Sequence, residues 1–297
     1  MQTGRIAVLA CLTAAFLLLS ACGTSRHTPG TEAKLYGYKP LGFLETVAYP
    51  CSVPGPSERK LTVYLPPDYY LDSTARFPVV YLLHGARGSE TTWIWRGHLP
   101  QMVDSLYLDD KASQAIFVLP DVNSFKDDAD YDGSRFKSAL GCMFGVDGVV
   151  ETGFVRDVVG FVDAYFRTVP DKAHRAIAGM SIGGMQAAYL SANSPDTFGY
   201  VGLFSPISGT VLRYSPKYNR FYQDFRKKLA VQFLDPPAYY LMTSGSDDIL
   251  TGWQTRHYHK IFERKGYAHD YLPHIAVGHE WSCWISSLNI FLGKCFE

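Results

Sequence analysis

The amino-acid sequence predicts a single α/β domain that has a mostly parallel central sheet, helices on both faces and an N-terminal antiparallel hairpin. Two short apolar segments, 43–49 and 60–65, flank the turn Pro54-Gly55-Pro56, which is the pattern of a hairpin. Further along the chain, short apolar runs alternate with longer segments of helical periodicity, as expected of parallel strands joined by helices. The 297 residues are enough to bury one large core.

The predicted elements follow one another in the order that such a sheet requires. Strands are predicted at 78–83, 115–119, 174–178, 200–204, 238–242 and 270–275, and helices at 99–106, 153–167, 184–192, 253–265 and 281–291. The first of these strands is almost continuously apolar, as expected of a strand that is covered on both faces. Two segments are too long for plain connections: a polar stretch at 121–148, and a tyrosine-rich stretch at 205–237 that we interpret as an insertion over the sheet edge.

The composition excludes some classes of function. With 47% hydrophobic residues the chain is globular, and its 28 basic residues are balanced by 28 acidic ones. It lacks the basic excess that a nucleic-acid partner would need. The spacing of the cysteines matches no zinc pattern, so we expect no metal site built on them.

The N-terminal residues are predicted to lie outside the fold. Arg5 precedes an apolar run, 6–19, that is too short for a comfortable membrane span. The run ends in Leu19-Ser20-Ala21-Cys22, which resembles the lipobox of bacterial lipoproteins. The resemblance implies that residues 1–21 are a signal peptide. An ordinary secretory signal that is cut at the same bond is the alternative.

The same resemblance implies a lipid on the new N-terminus. Cys22 would be the lipidated residue, residues 22–40 would form the lipidated cysteine and its tether, and residues 41–297 would form the catalytic domain. Acyl chains hold a protein firmly to a membrane because each buried methylene contributes ~0.8 kcal/mol. We therefore expect a lipid-anchored protein of the bacterial cell envelope, at the outer membrane rather than the inner one.

Four cysteines remain once the leader and the lipidated residue are set aside. They are Cys51, Cys142, Cys283 and Cys295. An oxidising compartment permits three disulfide pairings among them. Buried free thiols are the alternative, and the sequence does not separate the two.

The pentapeptide Gly179-Met180-Ser181-Ile182-Gly183 joins a predicted strand to a predicted helix. A Gly-x-Ser-x-Gly at such a junction indicates a nucleophile elbow, a strained turn that lifts the serine hydroxyl clear of the sheet. The glycines are needed because a side chain at either position would collide with the neighbouring strand or helix. Ser181 is therefore the candidate nucleophile. A serine in an ordinary glycine-rich turn is the alternative, since the pattern alone also occurs by chance.

A serine hydroxyl is a poor nucleophile near neutral pH and needs a base, which in turn needs an orienting carboxylate. The histidines downstream of the serine are His257, His259, His269, His274 and His279. His279 alone falls in a turn between the last strand and the last helix, where a loop can place it over the serine. The candidate acids are the adjacent Asp247 and Asp248. Successive residues point in different directions, so we expect one of the two to reach the histidine.

Two backbone N–H groups must face the oxyanion that develops during acyl transfer. One is expected from Ile182, the residue after the nucleophile. The other is expected from the glycine-containing loop 84–89, where Ala86 is the candidate donor. His84 precedes the serine in the chain and is interpreted as a structural residue.

Together these segments resemble the esterase D-type α/β-hydrolases over residues 41 to 292. The motifs that carry the resemblance are Tyr81-Leu82-Leu83-His84-Gly85, Gly88-Ser89, Trp93, Leu119-Pro120-Asp121, Gly179-Met180-Ser181-Ile182-Gly183-Gly184, Gly245-Ser246-Asp247-Asp248 and Gly278-His279-Glu280-Trp281. The resemblance implies the α/β-hydrolase fold. It also implies Asp248 as the acid, with Asp247 as the alternative, and it agrees with Ala86 as an oxyanion donor.

The family resemblance implies a serine carboxylic ester hydrolase that needs no cofactor, and the predicted leader implies that the enzyme is exported. The family includes feruloyl esterases, tributyrin-type esterases, S-formylglutathione hydrolases and mycolyltransferases. Several of the five tryptophans are predicted near the cleft mouth, which favours a small-molecule or oligosaccharide ester, above all a feruloyl or acetyl ester of plant carbohydrate. The alternatives are core packing for each tryptophan, an acyltransferase of the mycolyltransferase type, and a non-catalytic binding lipoprotein on a hydrolase scaffold.

Overall fold

The computed structural model describes residues 37–53, 55–123, 153–207 and 216–297, with side chains from residue 223 onward in the last range. The predicted signal peptide 1–21, the lipidation site Cys22, most of the tether, Cys142 and most of the polar stretch 121–148 lie outside the described residues. Within those four ranges, no helix has both the length and the apolar character that crossing a membrane requires.

Eight strands form one sheet in the order β1-β2-β4-β3-β5-β6-β7-β8. Their bounds are β1 Phe43–Pro50, β2 Glu58–Leu65, β3 Val79–Leu83, β4 Ile116–Pro120, β5 Arg175–Met180, β6 Tyr200–Phe204, β7 Tyr239–Gly245 and β8 Asp270–His274. The strands β1 and β2 form the predicted antiparallel hairpin, β2 also pairs with β4 in antiparallel fashion, and all other pairs are parallel. The predicted fold class is confirmed.

Helices cover both faces of the sheet. They are α1 Thr92–Trp95, α2 Leu99–Leu108, α3 Gly160–Tyr165 with the π-helical turn Val155–Val159 before it, α4 Ile182–Asn193, α5 Pro216–Gln232, α6 Gly252–Lys265 and α7 Trp281–Leu292; short 3₁₀ turns lie at Pro67–Tyr70 and Lys172–His174. The helices α1 and α5 and both 3₁₀ turns were not predicted. The other helices lie where the periodicity of the sequence predicts them.

The central strands are buried on both sides, so their side chains build two cores. In β3, Val79, Tyr81 and Leu83 belong to the core that also contains side chains of α3 to α6, whereas Val80 and Leu82 belong to the core that contains side chains of α1, α2 and α7. This alternation explains why β3 is apolar at every position rather than at every second one.

The described part of the tyrosine-rich segment 205–237 does not lie over the sheet edge, so that prediction was wrong for those residues. Its described part contains α5, which packs on one face of the sheet. The Phe225 ring lies 6.4 Å from Tyr189 of α4 and 6.0 Å from Tyr258 of α6, centroid to centroid. The physical reason is that β6 and β7 are parallel neighbours, and such strands need a crossover connection that returns over a face of the sheet.

Candidate active site

Ser181 lies in a strained turn between β5 and α4. Its φ of 57° and ψ of −115° are values that residues other than glycine rarely adopt. A β-carbon on Gly179 would lie 2.5 Å from the backbone of Gly183, and one on Gly183 would lie 2.4 Å from the carbonyl oxygen of His84. Close backbone approach therefore requires both glycines, as the pentapeptide predicts, and the turn has the geometry of a nucleophile elbow.

The Ser181 hydroxyl lies at one end of a chain of three polar side chains. His279 Nε2 lies 3.1 Å from Ser181 Oγ, and His279 Nδ1 lies 2.9 Å from Asp248 Oδ2. The three residues follow β5, β7 and β8, so they meet at the carboxyl edge of the parallel sheet. The side chains of His279 and Asp248 are 8% and 0% exposed, which shields their interaction from water. A serine, an imidazole and a carboxylate in this order suit nucleophilic attack with base assistance.

Of the two adjacent candidate acids, the structure brings Asp248 to His279. Asp248 is buried in the turn after β7, whereas Asp247 is exposed. The Asp247 carboxylate accepts a hydrogen bond from the Ser246 hydroxyl at 2.9 Å. The two carboxylates therefore have different partners, as expected of successive residues in a turn.

The Asp248 carboxylate accepts four hydrogen bonds. Its Oδ1 accepts the backbone N–H groups of Leu250 and Thr251, at 3.0 and 2.8 Å. Its Oδ2 accepts the Thr251 hydroxyl at 2.6 Å in addition to His279. Burial alone would raise the pKa of Asp248, but the hydrogen bond and charge of His279, together with the bonds from Thr251, outweigh burial and lower the pKa to about 2. The carboxylate is therefore ionised at neutral pH.

Thr251 is not among the site residues that the sequence predicts. A threonine just before a predicted helix has the pattern of an ordinary helix cap, so its type and position do not distinguish it from many others. The signal that could have found it is its spacing: it stands three residues after Asp248, where an aspartate side chain and the backbone of a turn commonly interact.

The loop after β8 is attached to the loop after β7 by backbone hydrogen bonds. The Ser246 N–H donates to the His274 carbonyl oxygen at 2.7 Å. The Asp247 N–H donates to the Val277 carbonyl oxygen at 3.0 Å. These bonds fix the loop that carries His279 relative to the loop that carries the acid, and so they place the imidazole between the acid and the serine.

Three tryptophans form a series of edge-to-face contacts that ends on His279. The ring centroids of Trp93 and Trp281 lie 5.2 Å apart, those of Trp281 and Trp284 5.3 Å, and those of Trp284 and His279 5.0 Å. Trp93 and Trp284 are buried and belong to the core, and Trp284 is the one of the two that packs against the imidazole. Trp253, in the first turn of α6, is 47% exposed.

The other histidines downstream of the serine lie elsewhere in the fold. As predicted, His257 and His259 lie in α6, and His269 and His274 lie beside and at the end of β8. His259 Nδ1 lies 2.9 Å from His269 Nε2. His274 Nε2 lies 2.9 Å from the Ser287 hydroxyl. Of these five histidines, His279 is the one that hydrogen-bonds to the serine.

Ala86 and Ile182, the predicted oxyanion donors, are both buried. A β-carbon on Gly85 would lie 3.5 Å from Ser181 Cβ, so the loop after β3 passes directly against the serine. Ile182 is the first residue of α4, where N–H groups have no acceptor within the helix. Across the described ranges neither N–H has a hydrogen-bond acceptor, which leaves both free to bind negative charge.

His84 is buried and ties the loop after β3 to the end of β4. Its Nε2 accepts the Val122 N–H at 3.1 Å, so its Nδ1 carries the proton and donates to the Gly85 carbonyl oxygen at 2.7 Å. A β-carbon on Gly88 would lie 2.7 Å from His84 Nδ1, so this glycine makes room for the imidazole. These contacts agree with the structural role that the sequence predicts for His84.

In the described part of the chain, Cys51, Cys283 and Cys295 carry free thiols. Burial raises the pKa of the Cys283 thiol to about 11 and that of the Cys295 thiol well above its usual value. Both thiols are therefore protonated at neutral pH and poor nucleophiles.

The sequence profile of a family described as "Putative esterase" matches residues 54–294, which is most of the chain. An endo-1,4-beta-xylanase/feruloyl esterase of Xylanibacter ruminicola is 33% identical over 150 residues, which are 48% of this chain and 19% of that protein. The chain therefore spans only a small part of the length of that relative.

Solved structures share the fold. A ferulic acid esterase of Anaeromyces mucronatus superposes with a TM-score of 0.69 at 21% identity, over 92% of this chain and 96% of that one. An S-formylglutathione hydrolase of Staphylococcus aureus superposes with a TM-score of 0.62 at 16% identity, over 84% of this chain and 95% of that one. The chain belongs to this esterase family and has the α/β-hydrolase fold.

Proposed function

We propose that the chain is an exported serine esterase that removes feruloyl or acetyl groups from plant carbohydrate through an acyl-enzyme. The observation that carries the proposal is the hydrogen-bonded chain of Ser181, His279 and Asp248 beside two N–H groups that have no acceptor in the described ranges. Membership of the esterase family agrees with the cleavage of a carboxylic ester.

In the proposed first step, Ser181 Oγ attacks the carbonyl carbon of the ester while His279 Nε2 takes the hydroxyl proton. Asp248 stabilises the imidazolium that forms. The carbonyl oxygen becomes an oxyanion, to which the N–H groups of Ala86 and Ile182 donate. The intermediate then collapses, the ester C–O bond breaks, and His279 gives its proton to the departing alcohol.

In the second step a water molecule takes the place of the alcohol. His279 removes a proton from the water as it attacks the acyl carbon, and the same two N–H groups stabilise the second oxyanion. Collapse of this intermediate breaks the bond to Ser181 Oγ, which recovers its proton from His279. The products are a carboxylic acid and the free enzyme.

Esters of plant carbohydrate are the proposed substrates. The relative from Xylanibacter ruminicola is described as a xylanase and feruloyl esterase, and the Anaeromyces mucronatus enzyme was also solved in complex with ferulic acid. On this chain Trp253 follows the loop of the acid and is 47% exposed. A flat, exposed ring there offers a surface on which a sugar or a hydroxycinnamoyl group can stack.

The location that goes with this function is the bacterial cell envelope. The apolar run 6–19 and the residues Leu19-Ser20-Ala21-Cys22 support export and lipidation. Attachment to the outer membrane would place the enzyme near polymeric substrates that do not enter the cell. Metabolic labelling with a palmitate analogue should modify the wild type and not Cys22→Ala, and labelling of both variants or of neither would contradict the anchor.

The test of the enzymatic proposal uses a soluble form that begins after Cys22. Its turnover is measured on p-nitrophenyl acetate, methyl ferulate and acetylated xylo-oligosaccharide. The matched variants are Ser181→Ala and Ser282→Ala, since Ser282 is an exposed serine of α7. We expect Ser181→Ala to lower turnover by about 10⁴- to 10⁶-fold and Ser282→Ala to leave it unchanged.

The three substrates separate the parts of the proposal. Serine-dependent cleavage of methyl ferulate or of the acetylated sugar supports a carbohydrate esterase and names its acyl group. If p-nitrophenyl acetate is the only substrate whose cleavage depends on Ser181, the proposed esterase activity is supported and the proposed carbohydrate substrates are contradicted. If no substrate is cleaved in a way that depends on Ser181, the proposed function is wrong, and acyl transfer to an alcohol becomes the next reaction to measure.

A further inference from the structure

Thr251 touches both partners of the acid–base pair. Its hydroxyl oxygen lies 2.6 Å from Asp248 Oδ2 and 3.2 Å from His279 Nδ1. The residue is buried, so no solvent competes for these contacts. Oδ2 is also the oxygen that lies 2.9 Å from His279 Nδ1, so the three polar atoms form a triangle.

The direction of each bond follows from the chemistry of the groups. An ionised carboxylate can only accept, so the Thr251 hydroxyl donates its proton to Asp248 Oδ2. The lone pairs of the hydroxyl oxygen are then left to face the Nδ1–H of His279. This N–H consequently has Asp248 as its main acceptor and Thr251 as a second, longer one.

The Thr251 hydroxyl also restrains the orientation of the Asp248 carboxylate plane. The backbone N–H groups of Leu250 and Thr251 hold Oδ1 alone. Rotation about the bond to Cβ would move both oxygens, so the bonds at Oδ1 limit it from one side, and a buried donor at Oδ2 limits it from the other. The Thr251 hydroxyl fixes Oδ2, and so it keeps the oxygen that His279 needs in the direction of the imidazole.

The start of α6 gives independent support. Thr251 occupies the N-cap position of that helix, where a threonine side chain usually accepts a hydrogen bond from a backbone N–H of the first turn. Here the side chain makes no such bond. The hydroxyl is turned away from the helix and towards the carboxylate, although the fold offers it the ordinary role of a cap.

We propose that Thr251 is a positioning residue of the active site, whose hydroxyl orients the Asp248 carboxylate towards His279. The inference rests on the proposed function. Thr251 does not touch the reacting atoms, so it acts on the rate through Asp248 and His279. The rotation that it prevents would weaken the hydrogen bond that holds the imidazole, and it would leave substrate binding unchanged.

The test compares three variants of the full chain in detergent on p-nitrophenyl acetate or on whichever ester the wild type cleaves. Thr251→Val removes the hydroxyl at nearly constant volume, and Thr251→Ser keeps it. Thr255→Val is the matched control, because Thr255 is a buried threonine in the first turns of α6, and its hydroxyl donates to the Thr251 carbonyl oxygen at 3.0 Å.

We expect Thr251→Val to lower kcat by about 10- to 100-fold with KM within about twofold. The kcat of Thr251→Ser and that of Thr255→Val should each stay within about threefold of the wild-type kcat.

A second measurement separates positioning from a general effect on folding. In the background of Asp248→Asn, adding Thr251→Val should cost no further kcat, because the group that it orients is already lost. If Thr251→Val lowers kcat by the same factor in the Asp248→Asn background as in the wild type, the proposal is wrong. It is also wrong if Thr251→Val alone retains the wild-type kcat, whether or not its KM rises. If Thr251→Val does not fold, Thr251→Ala takes its place with the same expected results.

Failure of this inference is distinguishable from failure of the proposed function. If Ser181→Ala abolishes turnover while Thr251→Val retains the wild-type kcat, the esterase stands and the role of Thr251 is wrong. If Ser181→Ala retains turnover, the proposed function is wrong, and the positioning role falls with it.

Discussion

The carbonyl oxygen of Val277 would lie 2.0 Å from a β-carbon on Gly245. That distance is far below any contact that two such atoms can make, so the end of β7 and the loop after β8 come together only because residue 245 has no side chain. The approach matters because this loop carries His279, and the hydrogen bond from the Asp247 N–H to the Val277 carbonyl oxygen holds it there. The position of the imidazole over Ser181 therefore depends on a glycine that is remote from the serine in sequence.

Gly245→Ala should displace the loop of His279. We expect kcat to fall by about 100-fold or more, since a displacement of about 1 Å can cost that much, and the free energy of unfolding to fall by about 1–3 kcal/mol. Gly278→Ala is the control, because the nearest atom to a β-carbon there lies 4.0 Å away. Steady-state kinetics and urea unfolding measure the two effects. Equal activity of the two variants would contradict the steric argument.

Asp248→Asn and Asp247→Asn should differ sharply. Asp248 accepts the hydrogen bond of His279, whereas Asp247 is exposed and bonds to Ser246. We expect Asp248→Asn to lower kcat by about 10³- to 10⁴-fold, because an amide no longer stabilises the imidazolium or fixes its tautomer. Asp247→Asn should remain within about threefold of the wild type. A larger loss in Asp247→Asn than in Asp248→Asn would reverse the assignment of the acid.

At acidic pH the free energy of unfolding should depend on whether the Asp248 carboxylate is ionised. Its folded pKa of about 2 lies below the usual value of 3.8, so the folded state binds this proton less readily than the unfolded state. The ionised carboxylate stabilises the fold fully above about pH 4, and this contribution is lost as the pH falls from about 4 towards 2. Between pH 5 and pH 3 the stability advantage of the wild type over Asp248→Asn should shrink by about 1 kcal/mol in urea unfolding. An advantage that stays constant or grows would show that the pKa is not lowered.

His84→Ala should weaken the loop that carries Ala86. The substitution leaves the Gly85 carbonyl and the Val122 N–H without their partner, in a buried place. We expect the free energy of unfolding to fall by about 1–3 kcal/mol and kcat to fall by about tenfold or more as the oxyanion donor loses its position. Because the imidazole is not assigned to proton transfer, the pH of half-maximal kcat should not move. A shift of that pH would instead place His84 in the chemistry.

Much of the fold and of the candidate site follows from local patterns. The hairpin, the buried strands and the elbow around Ser181 depend on residues that are close in sequence, and the structure contains all three. His279 was predictable because the turn between β8 and α7 is the one place from which a histidine of that region can reach the carboxyl edge of β5.

What the sequence did not predict depends on contacts between distant segments. The local pattern leaves Asp247 and Asp248 equivalent, and the family resemblance alone implies Asp248, because the choice requires the direction of each side chain, which is set where the loop after β8 meets the turn after β7. The role of Thr251 is hidden by its resemblance to a helix cap. The high tyrosine content of the segment 205–237 hides the helical spacing of α5, in which Phe225 and Leu229 lie four residues apart on one buried face.

The most direct test of the central claim is to trap the acyl group and locate it. The enzyme is mixed with p-nitrophenyl acetate or methyl ferulate, quenched in acid before the acyl-enzyme hydrolyses, digested, and its peptides are measured by mass spectrometry. We predict one added acetyl or feruloyl group on the peptide that contains Ser181, and none in Ser181→Ala. An acyl group on another residue, or continued turnover by Ser181→Ala at the wild-type rate, would contradict the assignment of Ser181 as the nucleophile.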